Sequence, residues 1–387
     1  MKKGIVKIIA LFVALSCVFI TCAVGVHAEN TSNNYPNLEL DCKSAVLMEA
    51  STGKLLFAKN ENEALPPASV TKVMTLLLVM EAIKDRKLNY TDMLSASEHA
   101  CSMGGSQIFL EVGESMSVED LLKSVIIASA NDAAVVLAEA VAGTEEAFVE
   151  IMNARARELG MENTVFENTN GLDDTTENHL TSAKDIAIMS RELIKYPKIT
   201  EYSRIWMDTV RNGEFGLTNT NRLIRFYEGA TGLKTGSTSK AGFCITATAE
   251  RNGMTLIAVI MGSSGRDARN SSAVALLNYG FSNFTVFKSQ PESYKISVED
   301  GRSDFCLVNE EEFVTVINKK HSGKIEKIVE CVDTLKAPIE KGTQIGTVTY
   351  KINGESIGTV RILTNEAVQT IRFSDILIRL LARICMC

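Results

Sequence analysis

Apolar and polar positions divide this 387-residue chain into stretches of distinct texture. Lys2, Lys3 and Lys7 lead into an apolar run, Ile8 to Ile20, and Val26-His27-Ala28 places small residues at −3 and −1 of a cleavage point after Ala28. Residues 1–28 are therefore expected to be a secretory signal peptide. An uncleaved membrane anchor is the alternative, because the apolar run continues to Val26. Lipid attachment at Cys22 is a weaker one, since Phe19-Ile20-Thr21 is a poor lead-in. Residues 29–38 are polar, with four Asn and Ser32 among them, which predicts a disordered lead-in.

Regular periodicity then begins. Ser44 to Glu49 and Lys54 to Lys59 flank the turn signal Ser51-Thr52-Gly53 and predict a hairpin. Pro66-Pro67 stops the chain ahead of a strongly apolar helix, Thr71 to Ile83. Ser117-Val118-Glu119-Asp120 reads as a helix start before Leu121 to Ile127, and Asp132 to Ala142, Glu145 to Leu159 and Ser182 to Lys195 follow as helices. Beyond Gly232 the pattern becomes strand-like. Phe243 to Ala249 and Met254 to Met261 enclose Arg251-Asn252-Gly253, and a last helix covers Ala273 to Tyr279. Strands at both ends with helices between them predict an α+β domain over residues 39–286, its antiparallel sheet joining the two chain ends and carrying a helical subdomain.

A linker is expected at Thr285 to Glu292. Phe313 to Ile317, Ile345 to Lys351 and Ser356 to Leu363 then alternate apolar and polar residues, punctuated by Gly342, Asn353-Gly354 and Gly358. That alternation predicts a small all-β domain over residues 287–368. In the last segment, 369–387, Arg372, Asp375, Arg379 and Arg383 share one side of a helical wheel. Phe373, Ile376, Leu377, Leu380, Leu381 and Ile384 cover the other. Too short and too charged to span a bilayer, it suits a membrane surface with its arginines among the headgroups. The alternative is a helix packed on its own domain.

Composition narrows the partners. The chain carries 40 basic and 47 acidic residues for a net charge of −7; three of the lysines and none of the acids lie in the leader, so the mature balance is −10. An acidic chain without a basic patch argues against nucleic acid as a partner. Of the nine cysteines, Cys17 and Cys22 fall in the leader, and the rest are scattered without C-x-x-C pairs or histidines at zinc spacing. No metal or other cofactor is implied. Most of those cysteines read as small buried hydrophobes, and a disulfide framework is not expected in a chain long enough to bury a full core.

Three polar motifs carry the candidate chemistry. Ser-x-x-Lys occurs at Ser51, Ser69 and Ser237, but only Ser69 stands at the mouth of a long apolar helix. Positions three apart share a helix face, so Lys72 folds back beside the Ser69 hydroxyl. The helix N-terminus favours an uncharged Lys72 able to take the serine proton. Helix capping by Ser69 with a solvated Lys72 is the plainer reading. Ser129-Ala130-Asn131 joins two apolar helical segments, where Ser129 could relay a proton and Asn131 could bind a substrate amide. Either residue could instead cap the helix from Asp132. Lys234-Thr235-Gly236 occurs once, just before the strand-like region. Lys234 supplies charge, Thr235 a hydroxyl, Gly236 close backbone approach, and Ser237 an N–H placed for an oxyanion.

The trio is shared by penicillin-binding proteins and class A β-lactamases. Over essentially its whole mature length the chain resembles the D-alanyl-D-alanine carboxypeptidases, the low-molecular-mass penicillin-binding proteins of bacterial cell walls. The resemblance runs through Pro67 to Thr75, Gly105-Ser106-Gln107, Ser129 to Ala134, Asn170-Gly171-Leu172, His179 to Ala183, Gly232 to Gly236 and Ala337 to Gly342. Ser237 and Ala130 depart from it, where many members carry His or Tyr and Gly; tuning of rate is expected. The resemblance implies a penicillin-binding, β-lactamase-like transpeptidase fold followed by a β-rich domain and a membrane-associating tail, on the extracytoplasmic face of the bacterial cytoplasmic membrane. It implies attack by Ser69 on a peptidoglycan pentapeptide stem ending in D-Ala-D-Ala, with Lys72 as base and β-lactams as inhibitors. The Ser69 and Ser237 N–H groups would hold the oxyanion, and Ser129 near Lys234 would protonate the leaving D-alanine. Thr235 and an arginine, Arg269 before Arg266, would grip its carboxylate.

Two other functions compete. A class A β-lactamase needs a Glu-x-x-Leu-Asn carboxylate, absent between Asn131 and Lys234, and a wall-binding protein with a silent site would not need all three motifs. A Ser-His-Asp esterase lacks G-x-S-x-G, and His179 reads as structural.

Overall fold

The computed structural model of the chain describes residues 35–174 and 176–385. The expected signal peptide and most of the polar lead-in lie outside the described residues.

One antiparallel sheet organises the larger, N-terminal part. Its strands are β1 (Ser44–Glu49), β2 (Leu55–Lys59), β3 (Ala230–Thr238), β4 (Gly242–Arg251) and β5 (Met254–Ser263), in the order β2-β1-β5-β4-β3. Strands from the two ends of the domain therefore lie side by side, β1 against β5. Interior strand β1 is buried along its whole length, as expected in a sheet covered on both faces. The first hairpin closes because the Glu49 carboxylate accepts from the backbone N–H and hydroxyl groups of both Ser51 and Thr52. At the other edge, β3 carries Lys234-Thr235-Gly236.

Helices fill the long excursion between β2 and β3. A 3-10 turn, Ala68–Thr71, leads directly into α1 (Lys72–Lys84). Then come α2 (Val118–Lys123), α3 (Asn131–Ala142), α4 (Glu145–Glu158) and α5 (Ala183–Leu193). Ser117, Thr144 and Ser182 cap three of them by accepting from Asp120, Ala147 and Asp185 N–H. α5 packs on one face of the sheet with α1 behind it, and α6 (Arg266–Asn283) covers the opposite face. This is the expected α+β architecture, with a core running from α1 through α3 to the sheet.

Several local expectations need correction. The helix expected over Leu121 to Ile127 is α2 followed by a π-helical turn, Ser124–Ala128, which widens the chain just before Ser129. α6 starts at Arg266 rather than Ala273, because its first turns are polar and face a cleft, not the core. The segment expected as a linker begins with a strand, β6 (Phe284–Lys288), held by Phe287 against Phe313 and Tyr350.

Continuing in chain order are β7 (Ser293–Glu299), β8 (Phe305–Glu310), β9 (Val314–Asn318), β10 (Ile325–Cys331), β11 (Thr334–Lys336), β12 (Gln344–Ile352) and β13 (Glu355–Thr364). β6 pairs with β9, and the others form a sheet in the order β10-β12-β13-β8-β7-β11 around Cys306, Val308, Val348 and Ile362. The alternating segments thus fold as an all-β module. Of the five described cysteines with free thiols, only Cys244 and Cys306 are fully buried, so burial is the rule for fewer of them than expected.

α7 (Phe373–Cys385) closes the described chain. Phe373, Ile376, Leu377, Ile378, Leu380, Leu381 and Ile384 are all exposed on it. Among the described residues no helix is long and apolar enough to cross a membrane.

Candidate active site

The 3-10 turn ahead of α1 presents Ser69. Neither Pro67 nor Thr71 caps it through a side chain, and Ser69 is engaged differently: Lys72 Nζ donates to Ser69 Oγ at 2.9 Å and to the Asn170 carbonyl at 2.8 Å. The plainer reading, a capping serine with a solvated lysine, is therefore wrong, since Lys72 is completely buried. Burial pushes its amine well below the usual lysine range, and the Lys234 charge nearby pushes the same way; Asp132 opposes both.

Ser129 follows the π-helical turn in a left-handed conformation (φ 65°) that swings its side chain out between two helical segments. Lys234 Nζ donates to Ser129 Oγ at 2.8 Å and to the Thr235 carbonyl at 2.9 Å. Lys234 is also buried; desolvation, then repulsion from Arg269, brings its amine down to about 7. The site thus contains two serine–lysine pairs, both amines out of water.

Asn131 does not cap α3 either. Its Nδ2 donates to the Gly104 carbonyl at 2.7 Å, and its buried Oδ1 has no hydrogen-bond partner among the described residues. The neighbouring Asp132 carboxylate accepts from Ile108, Leu110 and Ala133 N–H, fixing the loop that brings Ser106 to the cleft.

Edge strand β3 completes the wall. A Cβ on Gly236 would sit 2.7 Å from Ser69 N and 3.0 Å from both Ala68 Cβ and Pro67 O, so the strand's approach to the serine requires glycine. Thr235 Oγ1 donates to Thr220 Oγ1 at 2.8 Å, and Ser237 is exposed just beyond. From α6, Arg269 donates to Asn270 Oδ1 at 2.9 and 3.1 Å, and burial together with Arg266 lowers its guanidinium to about 10.

Together these groups line a cleft of about 430 Å3. Ser69, Ser129, Thr235, Gly236, Ser237 and Arg269 meet there, with Arg266 beside them. Lys72, Asn131 and Lys234 support the same wall from behind through the contacts above. Sequence reasoning missed Trp206, Thr218, Asn219, Thr220 and Arg222, which form the far side. They sit on a short strand end and a loop tied down by Asn219 and Asn221 side chains, where no periodicity or motif marks them. The Asn170 carbonyl was also missed, since a backbone acceptor leaves no residue-type signal. Among the described residues no cluster of His, Cys, Asp and Glu is arranged to hold a metal.

Most of the chain has counterparts among known proteins. Sequence models match the D-alanyl-D-alanine carboxypeptidase family over residues 29–265 and the penicillin-binding protein 5 C-terminal domain over 281–370. D-alanyl-D-alanine carboxypeptidase DacF of Bacillus subtilis is 41% identical over 94% of this chain and 95% of its own length. The crystal structure of penicillin binding protein 5 from Haemophilus influenzae superposes with a TM-score of 0.76 at 32% identity, covering 86% of this chain and 99% of that one. Penicillin-binding protein D2 of Listeria monocytogenes, solved in an ampicillin-bound form, matches at 31% identity and TM-score 0.58 over 64% of this chain and 100% of its own. The two serine–lysine pairs thus stand in a chain matched over most of its length by D-alanyl-D-alanine carboxypeptidases, and the chain belongs to the D-alanyl-D-alanine carboxypeptidase family of serine-type peptidases.

Proposed function

We propose that this carboxypeptidase works through an acyl-enzyme on Ser69, formed at the carbonyl between the two terminal D-alanines of a peptidoglycan pentapeptide stem. The observation that carries this reading is the pairing of each serine hydroxyl with its own buried amine, 2.9 Å at Ser69 and 2.8 Å at Ser129. Burial favours the neutral form of Lys72, so this amine has a lone pair for the Ser69 proton as Oγ bonds to the carbonyl carbon. The N–H groups of Ser69 and Ser237 take the developing oxyanion, which Gly236 lets them approach together.

Collapse breaks the C–N bond, and the leaving amine takes its proton from Ser129, which recovers one from the ammonium form of Lys234, an amine at about 7 that still binds a proton near neutral pH. Thr235 and Arg269 hold the departing carboxylate, with Arg266 as the second cation. Asn131 Oδ1, buried and without a partner among the described residues, accepts the N–H of a substrate amide. Water then adds to the ester, its proton passing through Ser129 to Lys234, and Ser69 Oγ leaves with the proton that Lys72 had taken. A β-lactam enters the same path through its strained amide, as the ampicillin-bound Listeria relative supports. The free edge of β3 suits an extended peptide laid alongside it.

The two ends of the chain support a setting at the membrane surface. Its leader directs export, and α7 lays its exposed apolar residues on the outer face of the cytoplasmic membrane. Arg302 tethers the start of that helix to the β-module through Asp375 at 2.8 Å.

Three outcomes test this account. Ser69→Ala should abolish D-alanine release from a D-Ala-D-Ala pentapeptide, and a labelled penicillin should mark Ser69 by mass spectrometry; abundant release by the variant would exclude Ser69. Arg269→Gln should weaken KM for the peptide by roughly tenfold or more, as loss of a charge-assisted carboxylate contact requires; an unchanged KM would move that role to Arg266. Truncation after Thr370 should free the signal-cleaved protein from membranes, and unchanged fractionation would remove α7 from the anchoring role.

A further inference from the structure

The three motifs do not account for a buried chain of hydrogen bonds behind the nucleophile. His179, buried beneath the turn and edge-to-face with Phe166, accepts the Glu167 backbone N–H at Nδ1 (2.9 Å). With Nδ1 occupied as an acceptor, the ring hydrogen of neutral His179 is on Nε2, which lies 2.7 Å from Thr71 Oγ1. Thr71, itself fully buried, passes its own hydrogen to the Ala68 carbonyl at 2.9 Å. Donation therefore runs one way, from Glu167 N–H through His179 and Thr71 to the peptide oxygen just before Ser69.

That oxygen is also held sterically. Gly171, at φ +84°, presses against it so closely that a Cβ there would fall 1.9 Å from Ala68 O and 2.8 Å from Thr71 Oγ1. Ala68 has φ +50°, a left-handed conformation that is unfavourable for a residue with a side chain and persists only when its surroundings impose it. The peptide joining Ala68 to Ser69 is planar, so a fixed carbonyl fixes the Ser69 N–H on the opposite side. A hydrogen bond accepted by the carbonyl also polarises the amide and makes its N–H a stronger donor.

We propose that His179 and Thr71 are positioning residues that aim and polarise the Ser69 N–H as an oxyanion donor. Neither touches substrate; both act through the Ala68–Ser69 peptide. This assigns a catalytic purpose to a histidine that the sequence reads as structural, and to the Thr within the Ser-x-x-Lys motif. The assignment rests on Ser69 being the acylated residue. Burial holds the ring neutral, bringing its basicity down to about 4, in keeping with an imidazole that only orients.

The test uses the full-length enzyme and two pairs of variants. Thr71→Val removes the hydroxyl and keeps the shape, while Thr71→Ser restores the hydroxyl. His179→Leu removes the donor, and His179→Gln returns an amide N–H near the Nε2 position. Penicillin acylation rates are read on the fraction of enzyme that labels fully at long times, so misfolded protein does not enter, and kcat and KM for D-alanine release are measured in parallel. Losing the aim of an oxyanion donor should slow acylation and lower kcat roughly ten- to hundredfold with KM nearly unchanged in Thr71→Val and His179→Leu. The Ser and Gln variants should recover most of the rate. The double variant Thr71→Val/His179→Leu should be no slower than Thr71→Val alone, because the two act in series. Wild-type rates in the labelled fraction of Thr71→Val, or independent additive losses in the double variant, would overturn the proposal while leaving label on Ser69. Label on another residue would instead overturn the Ser69 reading and this inference with it.

Discussion

Burial of the Lys72 amine against the Ser69 hydroxyl is the constraint on which the site depends. A charged ammonium taken out of water costs several kcal/mol, and here a second buried amine, Lys234, adds repulsion. The folded protein lowers this cost by releasing protons, and the same release creates a base. The linkage has a definite sign. Each amine binds protons less readily when folded than when unfolded, so between its folded value and the unfolded 10.5 the unfolded chain holds the extra proton. Stability from these groups rises with pH through that window and falls as pH drops through it. For Lys234 the window runs from about 7 to 10.5. Activity and stability are in opposition at neutral pH, and the apolar core around α1 and α3 carries the difference.

The fold supplies the supports that such a strained arrangement requires. The loop around Asn170 is sewn by side-chain contacts, Asn168 to Gly171 and Leu172, so its carbonyl can face Lys72. Thr75 and Glu145 hold Thr169 from two further elements. On the other side, β3 closes against the 3-10 turn because Gly236 leaves no side chain between them. Four separate segments therefore fix one hydroxyl. Acidic overall, the protein still gathers Lys234, Arg222, Arg266 and Arg269 around the end of the cleft that would meet a carboxylate.

How much of this was legible in the sequence follows from which forces act locally. Apolar periodicity placed the hairpin, α1, α3 to α5, and β4 and β5, since burial of a face repeats along the chain. The serine–lysine motifs were legible because a helix brings positions three apart together and because Lys234-Thr235-Gly236 precedes a strand. What was not legible lacks a local signature. The polar opening of α6 faces solvent in the cleft and breaks the core pattern. Trp206 to Arg222 reach the cleft by tertiary packing alone. Ala68 in a left-handed conformation contradicts its own preference and is imposed by Thr71 and Gly171. β6 is too short and too evenly half-buried to stand out from a linker.

The central claim, that Lys72 is the neutral base of this enzyme, is tested most directly by NMR titration of lysine-labelled protein. Lys72→Arg and Lys234→Arg would assign the two buried signals by their disappearance. The account predicts that the Lys72 amine titrates far below the surface lysines and is largely uncharged where the enzyme works. A Lys72 signal that titrates together with the surface lysines, near 10.5, would contradict it.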